Sequence, residues 1–225
     1  MSAAPPECAE SAWPMYRSLV GIGALCGFLI VTVFVATGPA IRRNQIEALQ
    51  RAIFQVLPEA RTSATFRARE DGGFERLPPD ATTGPDEPVV YAGYDGAGRL
   101  VGLAVEARAM GYQDVIRLLY GYAFDRDAIV GIRVLESRET PGLGDRIESD
   151  PDFLANFQHL DVSLGADGAA LAHPIELVKH GSKELPWQVD GITGATISST
   201  AVATALRQSA ALWIPRIRRD LDAFR

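Results

Sequence analysis

The sequence predicts an α+β domain behind a single N-terminal membrane-spanning helix. Three observations lead there. Residues 18–41 carry no charged side chain. Residues 88–135 alternate β-branched and aromatic runs with short turn signals such as Asp95-Gly96, the mark of hairpins. Residues 197–213 return to helical spacing, with Ala201, Val202, Ala205, Leu206 and Ser209 on one face. Hairpins framed by helices imply an α+β arrangement.

The uncharged run of residues 18–41 spans roughly 36 Å as a helix, enough for a hydrocarbon core of about 30 Å. Its glycines, Gly21, Gly23 and Gly27, are tolerated in membrane helices. A cleaved signal peptide is the rival reading, but the run is too long for one. A tail of residues 1–17 bearing Glu7 and Glu10 also makes a poor positive leader. Arg17 precedes the run, and Arg42, Arg43 and Arg51 follow it. Counting positive charges would place the large domain in the cytoplasm, by a small margin, and long domains cross largely regardless of charge.

Residues 42–57 read as an amphipathic stalk, with Ile46, Leu49, Ile53 and Leu57 at helical spacing and Pro58 as the stop. Residues 62–87 are polar and rich in Gly, Pro, Asp and Thr, which predicts a loop or loose strands. Residues 42–87 therefore form a stalk and linker ahead of a domain at 88–214. Within that domain, strands are expected at 88–94, 99–108, 115–124 and 128–135, making two hairpins. A short helix follows at 150–157, with Asp150 as cap and Pro151 in its first position. Residues 161–189 are mixed, with a strand around 175–179. Pro215 kinks or ends the last helix, and the charged tail to Arg225 reads as a helical extension.

Bulk numbers exclude several functions. A chain of 225 residues suggests one folded domain plus attachments. The net charge is −6, and no basic stripe stands out, which argues against a nucleic-acid partner. Cys8 and Cys26 are the two cysteines, so the part after residue 41 holds no disulfide framework, Cys-ligated zinc or iron–sulfur site. His159, His173 and His180 are scattered, and no metal site is expected. No catalytic acid–base pair is evident.

The informative stretch is Asp190-Gly191-Ile192-Thr193-Gly194-Ala195-Thr196, followed by Ile197, Ser198, Ser199 and Thr200. Asp190-Gly191 makes a turn, and Gly194-Ala195 leaves little bulk, so another group can approach the backbone. A helix starts just after, and its first amides and dipole favour a negative group. On local physics alone, an ordinary helix cap is the favoured reading of Thr196. A Walker-type loop is excluded, because no GKS or GKT follows the glycines.

The seven residues D-G-I-T-G-A-T resemble the motif onto whose last threonine flavin transferases esterify FMN, as in the FMN-binding domain family. A second block, Glu139-Thr140-Pro141-Gly142-Leu143-Gly144, lies about fifty residues earlier. It resembles the G subunit of Rnf/Rsx-type electron transport complexes, and is similar in the C subunit of the sodium-translocating NADH:quinone reductase. Gly111-Tyr112, the strands around Gly131 and Trp187-Gln188-Val189 fit the same pattern.

The resemblance implies an FMN-binding domain with covalent FMN in phosphoester linkage on Thr196. Thr193, Gly194 and Ala195 would shape the loop around the phosphate, with Ser199 and Thr200 as candidate contacts. Glu139, Thr140, Pro141, Gly142, Leu143 and Gly144 would lie against the isoalloxazine, with Lys183 and Trp187 as weaker candidates. It further implies a redox subunit of an ion-translocating ferredoxin:NAD oxidoreductase, anchored in the bacterial inner membrane. The 1–17 tail would be cytoplasmic and the domain periplasmic. Partners would be the other membrane and redox subunits, a flavin transferase during maturation, and membrane lipid. The alternatives are the quinone-reductase subunit and a flavin-bearing sensory or accessory module.

Overall fold

A computed structural model describes residues 13–78, 84 and 87–225. Most of the expected 1–17 tail, Cys8 included, lies outside the described residues. The chain divides between Glu47 and Ala48 into two units.

The first unit is the run of helix α1 (Trp13–Val56) up to Glu47. Leu19, Ile22, Leu25, Phe28, Val31 and Phe34 are all exposed along it. By length and composition α1 is able to cross a membrane. The expected anchor and stalk are one continuous helix. Pro39 lies inside it, and the Thr37 hydroxyl donates to the Val33 carbonyl at 2.8 Å.

The second unit is built on a seven-stranded, wholly antiparallel sheet. Its strands are β1 (Thr62–Ala68), β2 (Phe74–Arg76), β3 (Val89–Tyr94), β4 (Leu100–Met110), β5 (Val115–Ala123), β6 (Ala128–Glu136) and β7 (Leu160–Asp161). Their order is β2-β1-β3-β4-β5-β6-β7. β3 to β6 form a continuous meander, so the two expected hairpins are joined by pairing of β4 with β5. A parallel pair, β8 (Glu176–Val178) and β9 (Gln188–Asp190), stands apart. Helix α2 (Pro151–Ala155) begins on Asp150, whose carboxylate accepts from the Phe153 amide at 3.2 Å. Helix α3 is Thr196–Arg219.

Strand periodicity decides what covers each face. On one side, Leu103, Val105 and Ala107 of β4 join Leu118, Tyr120 and Tyr122 of β5 under the α3 residues Val202, Leu206 and Ile214. On the other, Ala104 and Leu119 meet Ala52, Ile53 and Val56 from the last turns of α1. That second contact is close: a Cβ on Gly121 would run into the Val56 carbonyl oxygen. Burial pushes the phenols of Tyr120 and Tyr122 well above their ordinary range. Tyr120 shares a hydrogen bond with Ser209 at 3.1 Å, and Tyr122 donates to Asp127 at 3.0 Å.

One expectation needs correction. Of residues 62–87, expected as a loop or loose strands in a linker, Thr62–Ala68 and Phe74–Arg76 are β1 and β2, paired into the sheet of the domain. The alternation there rests on Ala64, Phe66 and Ala68, and two alanines give little contrast against polar neighbours. α3 runs through Pro215 to Arg219, in line with the helical extension expected of the tail. The missing proline amide costs one hydrogen bond to Ala211, on the exposed side, while Ile214 and Ile217 stay buried. The chain end is docked as well. Phe224 is fully buried, with its ring centroid 4.8 Å from Phe66 and 4.7 Å from Phe74. The Tyr94 hydroxyl donates to its carbonyl at 2.8 Å, and Asp220 accepts from the Phe74 amide at 3.1 Å.

The docking of Phe224 has a measurable consequence. Phe224→Ala should destabilise the fold by about 3 kcal/mol, read as a lower Tm for the full chain in detergent. Arg225→Ala, at the exposed neighbour, should change stability by under about 0.5 kcal/mol.

Candidate functional site

The two sequence blocks meet at the N-terminus of α3. Thr140-Pro141-Gly142-Leu143 closes a turn through the Leu143 amide and the Thr140 carbonyl at 3.1 Å. Pro141 supplies its second position, and Gly142 supplies the third at φ +77. Pro141, Gly142 and Leu143 face solvent, Thr140 is half-buried, and Glu139 and Gly144 are buried. A 3-10 turn, Gly144–Glu148, follows.

Glu139 holds the arrangement. Its carboxylate accepts from the amides of Tyr112 at 2.8 Å and Gln113 at 3.1 Å, and from the hydroxyl of Ser198 in the first turn of α3. The Gln113 amide group donates to the Thr140 hydroxyl at 2.9 Å. Gly144 fits against this clasp because it lacks a side chain. A Cβ there would sit 2.6 Å from both Glu139 Oε2 and Ser198 Oγ.

The turn at residues 190–195 is tied residue by residue. Asp190 accepts from the Gly181 amide at 2.8 Å and the Ser182 amide at 3.3 Å. The Gly191 amide bonds the Val178 carbonyl at 3.0 Å, and the Ile192 amide bonds Ser199 Oγ at 3.1 Å. The Arg146 guanidinium donates to the Thr193 carbonyl at 3.3 Å and pairs with Asp150. Burial raises the Asp150 pKa, but the Phe153 amide and Arg146 together hold it below its ordinary value. Gly194 takes φ +87, and the chain enters α3.

Thr196 is not the helix cap. Ala195 occupies that position and lends no side-chain oxygen, and Thr196 is the first helical residue, exposed. The opening amides of a helix have no partner within it. Here they meet a partial positive charge with no capping side chain to offset it, a setting that attracts an anion. Arg216, Arg218 and Arg219 complement the other end of the helix.

Of the expected site residues, Thr193, Gly194 and Thr196 share an exposed surface, with Ala195 buried beneath. Ser199 is also buried, its hydroxyl turned to Ile192. The Thr200 hydroxyl donates back to the Thr196 carbonyl at 2.7 Å. A shallow groove beside Thr196 is lined by Ala109, Met110, Ile197, Thr200, Thr204 and Gln208. Trp187 stacks on His173, with ring centroids 3.7 Å apart. Lys183 donates to Asn156 at 3.2 Å; burial lowers its pKa, against the pull of Asp190. Among the described residues, no group of three or more His, Cys, Asp or Glu is placed to hold a metal ion.

Sequence reading missed Asn156 and Arg146. Neither stands at a motif position that points to a ligand. Arg146 follows the 139–144 block closely, which was the one available hint. Ser198, in the stretch after the motif, is the partner of Glu139, a role that its place in the sequence did not announce.

The sequence and the fold have known counterparts. Residues 111–211 match the FMN-binding domain family. The G subunit of the ion-translocating oxidoreductase complex of Methanosarcina acetivorans is 32% identical over 194 residues, covering 85% of this chain and 89% of that protein. The G subunit of the ion-translocating oxidoreductase complex of Shewanella baltica is 28% identical over 204 residues, covering 89% of each. The crystal structure of Shewanella oneidensis NqrC shares the fold, with a TM-score of 0.57 at 18% identity over 81% of this chain and 96% of that one. With the domain match, the turn at the tip of α3 and a relative aligned along most of both lengths, this chain belongs to the family of G subunits of ion-translocating oxidoreductase complexes.

Proposed function

We propose that this chain carries FMN in phosphoester linkage on Thr196. In this reading it relays electrons as a membrane-anchored subunit of an ion-translocating ferredoxin:NAD oxidoreductase. The observation that carries the reading is the exposed Thr196 hydroxyl on an uncapped helix N-terminus, clasped to the 139–144 block through Glu139 and Ser198. The site residues fit the group. An anion is welcome at the opening amides of α3, and the space over Gly194 is open. Leu143, Ile197 and Met110 offer exposed apolar surface around it.

FMN supplies one- or two-electron chemistry when bound. The protein supplies position. Thr196 Oγ loses its proton and gains a bond to phosphorus as the flavin donor's leaving group departs. A neutral threonine is a weak nucleophile, so a separate flavin transferase provides the activation. The opening amides of α3 would hold the phosphate, and Thr193, Gly194 and Ala195 set the shape of the turn. Ser199 acts beneath the turn, by holding Ile192. The exposed turn at Thr140–Leu143 would offer the ring a wall, with Glu139 buried beneath and holding that turn in place. Helix α1 anchors the chain in the lipid of the bacterial inner membrane, with the domain on the periplasmic side among the other subunits.

Coexpression with a flavin transferase should give a band that fluoresces under ultraviolet light on a denaturing gel, with an intact mass raised by one flavin phosphate. Thr196→Val should be dark. A dark wild-type band, or a fluorescent variant, sinks the reading. Gly144→Ala should cost about 1–3 kcal/mol through overpacking of the clasp. It should also lower the flavin yield, measured by in-gel fluorescence at equal protein.

A further inference from the structure

We infer that Asn156 is a positioning residue for the attached flavin: from the end of α2, its buried side chain fixes where the acceptor turn begins. The inference rests on the reading of Thr196 given above. Asn156 is 5% exposed and lies outside both motifs. Its Oδ1 accepts from the Asp190 amide at 2.9 Å, and its Nδ2 donates to the Asp190 carbonyl at 3.2 Å. One side chain therefore meets both backbone groups of the residue that opens the turn. Its donor also meets the Phe153 carbonyl at 3.0 Å, which fixes the amide's orientation, and its acceptor takes the Lys183 ammonium at 3.2 Å.

Position, more than the number of bonds, gives this contact its meaning. Asp150, at the start of α2, caps that helix and pairs with Arg146, which reaches the Thr193 carbonyl. Asn156, just past the end of α2, reaches Asp190. The short helix thus grips the acceptor turn at two points, before and after Gly191-Ile192. Arg146 belongs to the 3-10 turn that continues the 139–144 block. α2 therefore sets the spacing between that block and Thr196 without touching either exposed face. Loss of the Asn156 amide would strand two backbone groups and an ammonium at a half-buried site, and the turn would shift to find water.

The test uses the full chain, flavinylated and purified in detergent. Four forms are compared: wild type, Asn156→Ala, Asn156→Asp and Phe157→Leu. The Asp variant keeps the acceptor for the Asp190 amide and for Lys183 but cannot donate to the Asp190 carbonyl. The Leu variant disturbs the same buried segment and leaves the clamp. The readouts are Tm, the visible flavin band and the oxidised-to-reduced ratio at a fixed solution potential. Asn156→Ala should change that ratio several-fold and shift the band. Asn156→Asp should fall between it and wild type. Phe157→Leu should lower Tm with ratio and band unchanged. If Asn156→Ala does not fold, the comparison of Asn156→Asp with Phe157→Leu decides alone. Wild-type ratio and band in the folded Asn156 variants, or an equal shift in Phe157→Leu, overturns the inference. A wild-type chain with no covalent flavin is a separate result, and it overturns the attachment reading along with the inference.

Discussion

The site depends on one buried carboxylate. Glu139 is 6% exposed, and its partners are two backbone amides and a hydroxyl. Burying such a group is costly unless its oxygens are met by donors. Here the donors come from two places far apart in sequence, the turn after β4 and the first turn of α3. The carboxylate therefore does more than close a local loop. It couples the end of the meander to the tip of the helix, and the bend at Thr140–Leu143 rides on that coupling. The demand for space explains the small residues around it. A Cβ on Gly111 would collide with Glu139 and Ile116, just as one on Gly144 would collide with Glu139 and Ser198.

Helix α3 serves the core and the site with the same residues. Val202, Leu206, Ala210 and Ile214 seal one face of the sheet, which fixes the helix in rotation and along its axis. Its first turn inherits that fixity, so Thr196 is presented on a rigid element although the residues before it form a bend. The far end is fixed independently. Arg218 pairs with Asp127 at the β5–β6 turn, and Phe224 lies between Phe66 and Phe74. A helix held at both ends cannot slide, and sliding by one residue would turn Thr196 away by about 100°.

Much of this was legible in the sequence, for identifiable reasons. β3 to β6 are β-branched and aromatic runs with clear turns, and the Asp150-Pro151 pair marks a helix start by a local rule. β1 and the short edge strand β2 were less legible, because Ala64 and Ala68 give little contrast around Phe66 and the other side is polar. The helical course of the tail was legible, but the burial of Phe224 between Phe66 and Phe74 was not, because its partners are distant in sequence. At the site, the residues that would face a ligand announced themselves through glycine and threonine spacing. The ones that hold them did not. Asn156 and Ser198 act through backbone groups and a carboxylate distant in sequence, and no period or spacing encodes such a partner.

The shape of the site bears on why a covalent link would serve here. Ligand pockets that retain a cofactor without a covalent bond usually bury most of its surface. The groove beside Thr196 is shallow, and Met110 and Ile197 in its lining are both more than half exposed. Such a surface can touch one face of a flat ring and leave the rest open. Weak retention and easy access then share one geometric cause. A subunit that hands electrons to a neighbour needs the access, and a phosphoester removes the retention problem without closing the surface. With such a link the protein's remaining task would be orientation, and the Glu139 clasp and the ties on residues 190–193 hold the turn from beneath, where no ligand need reach.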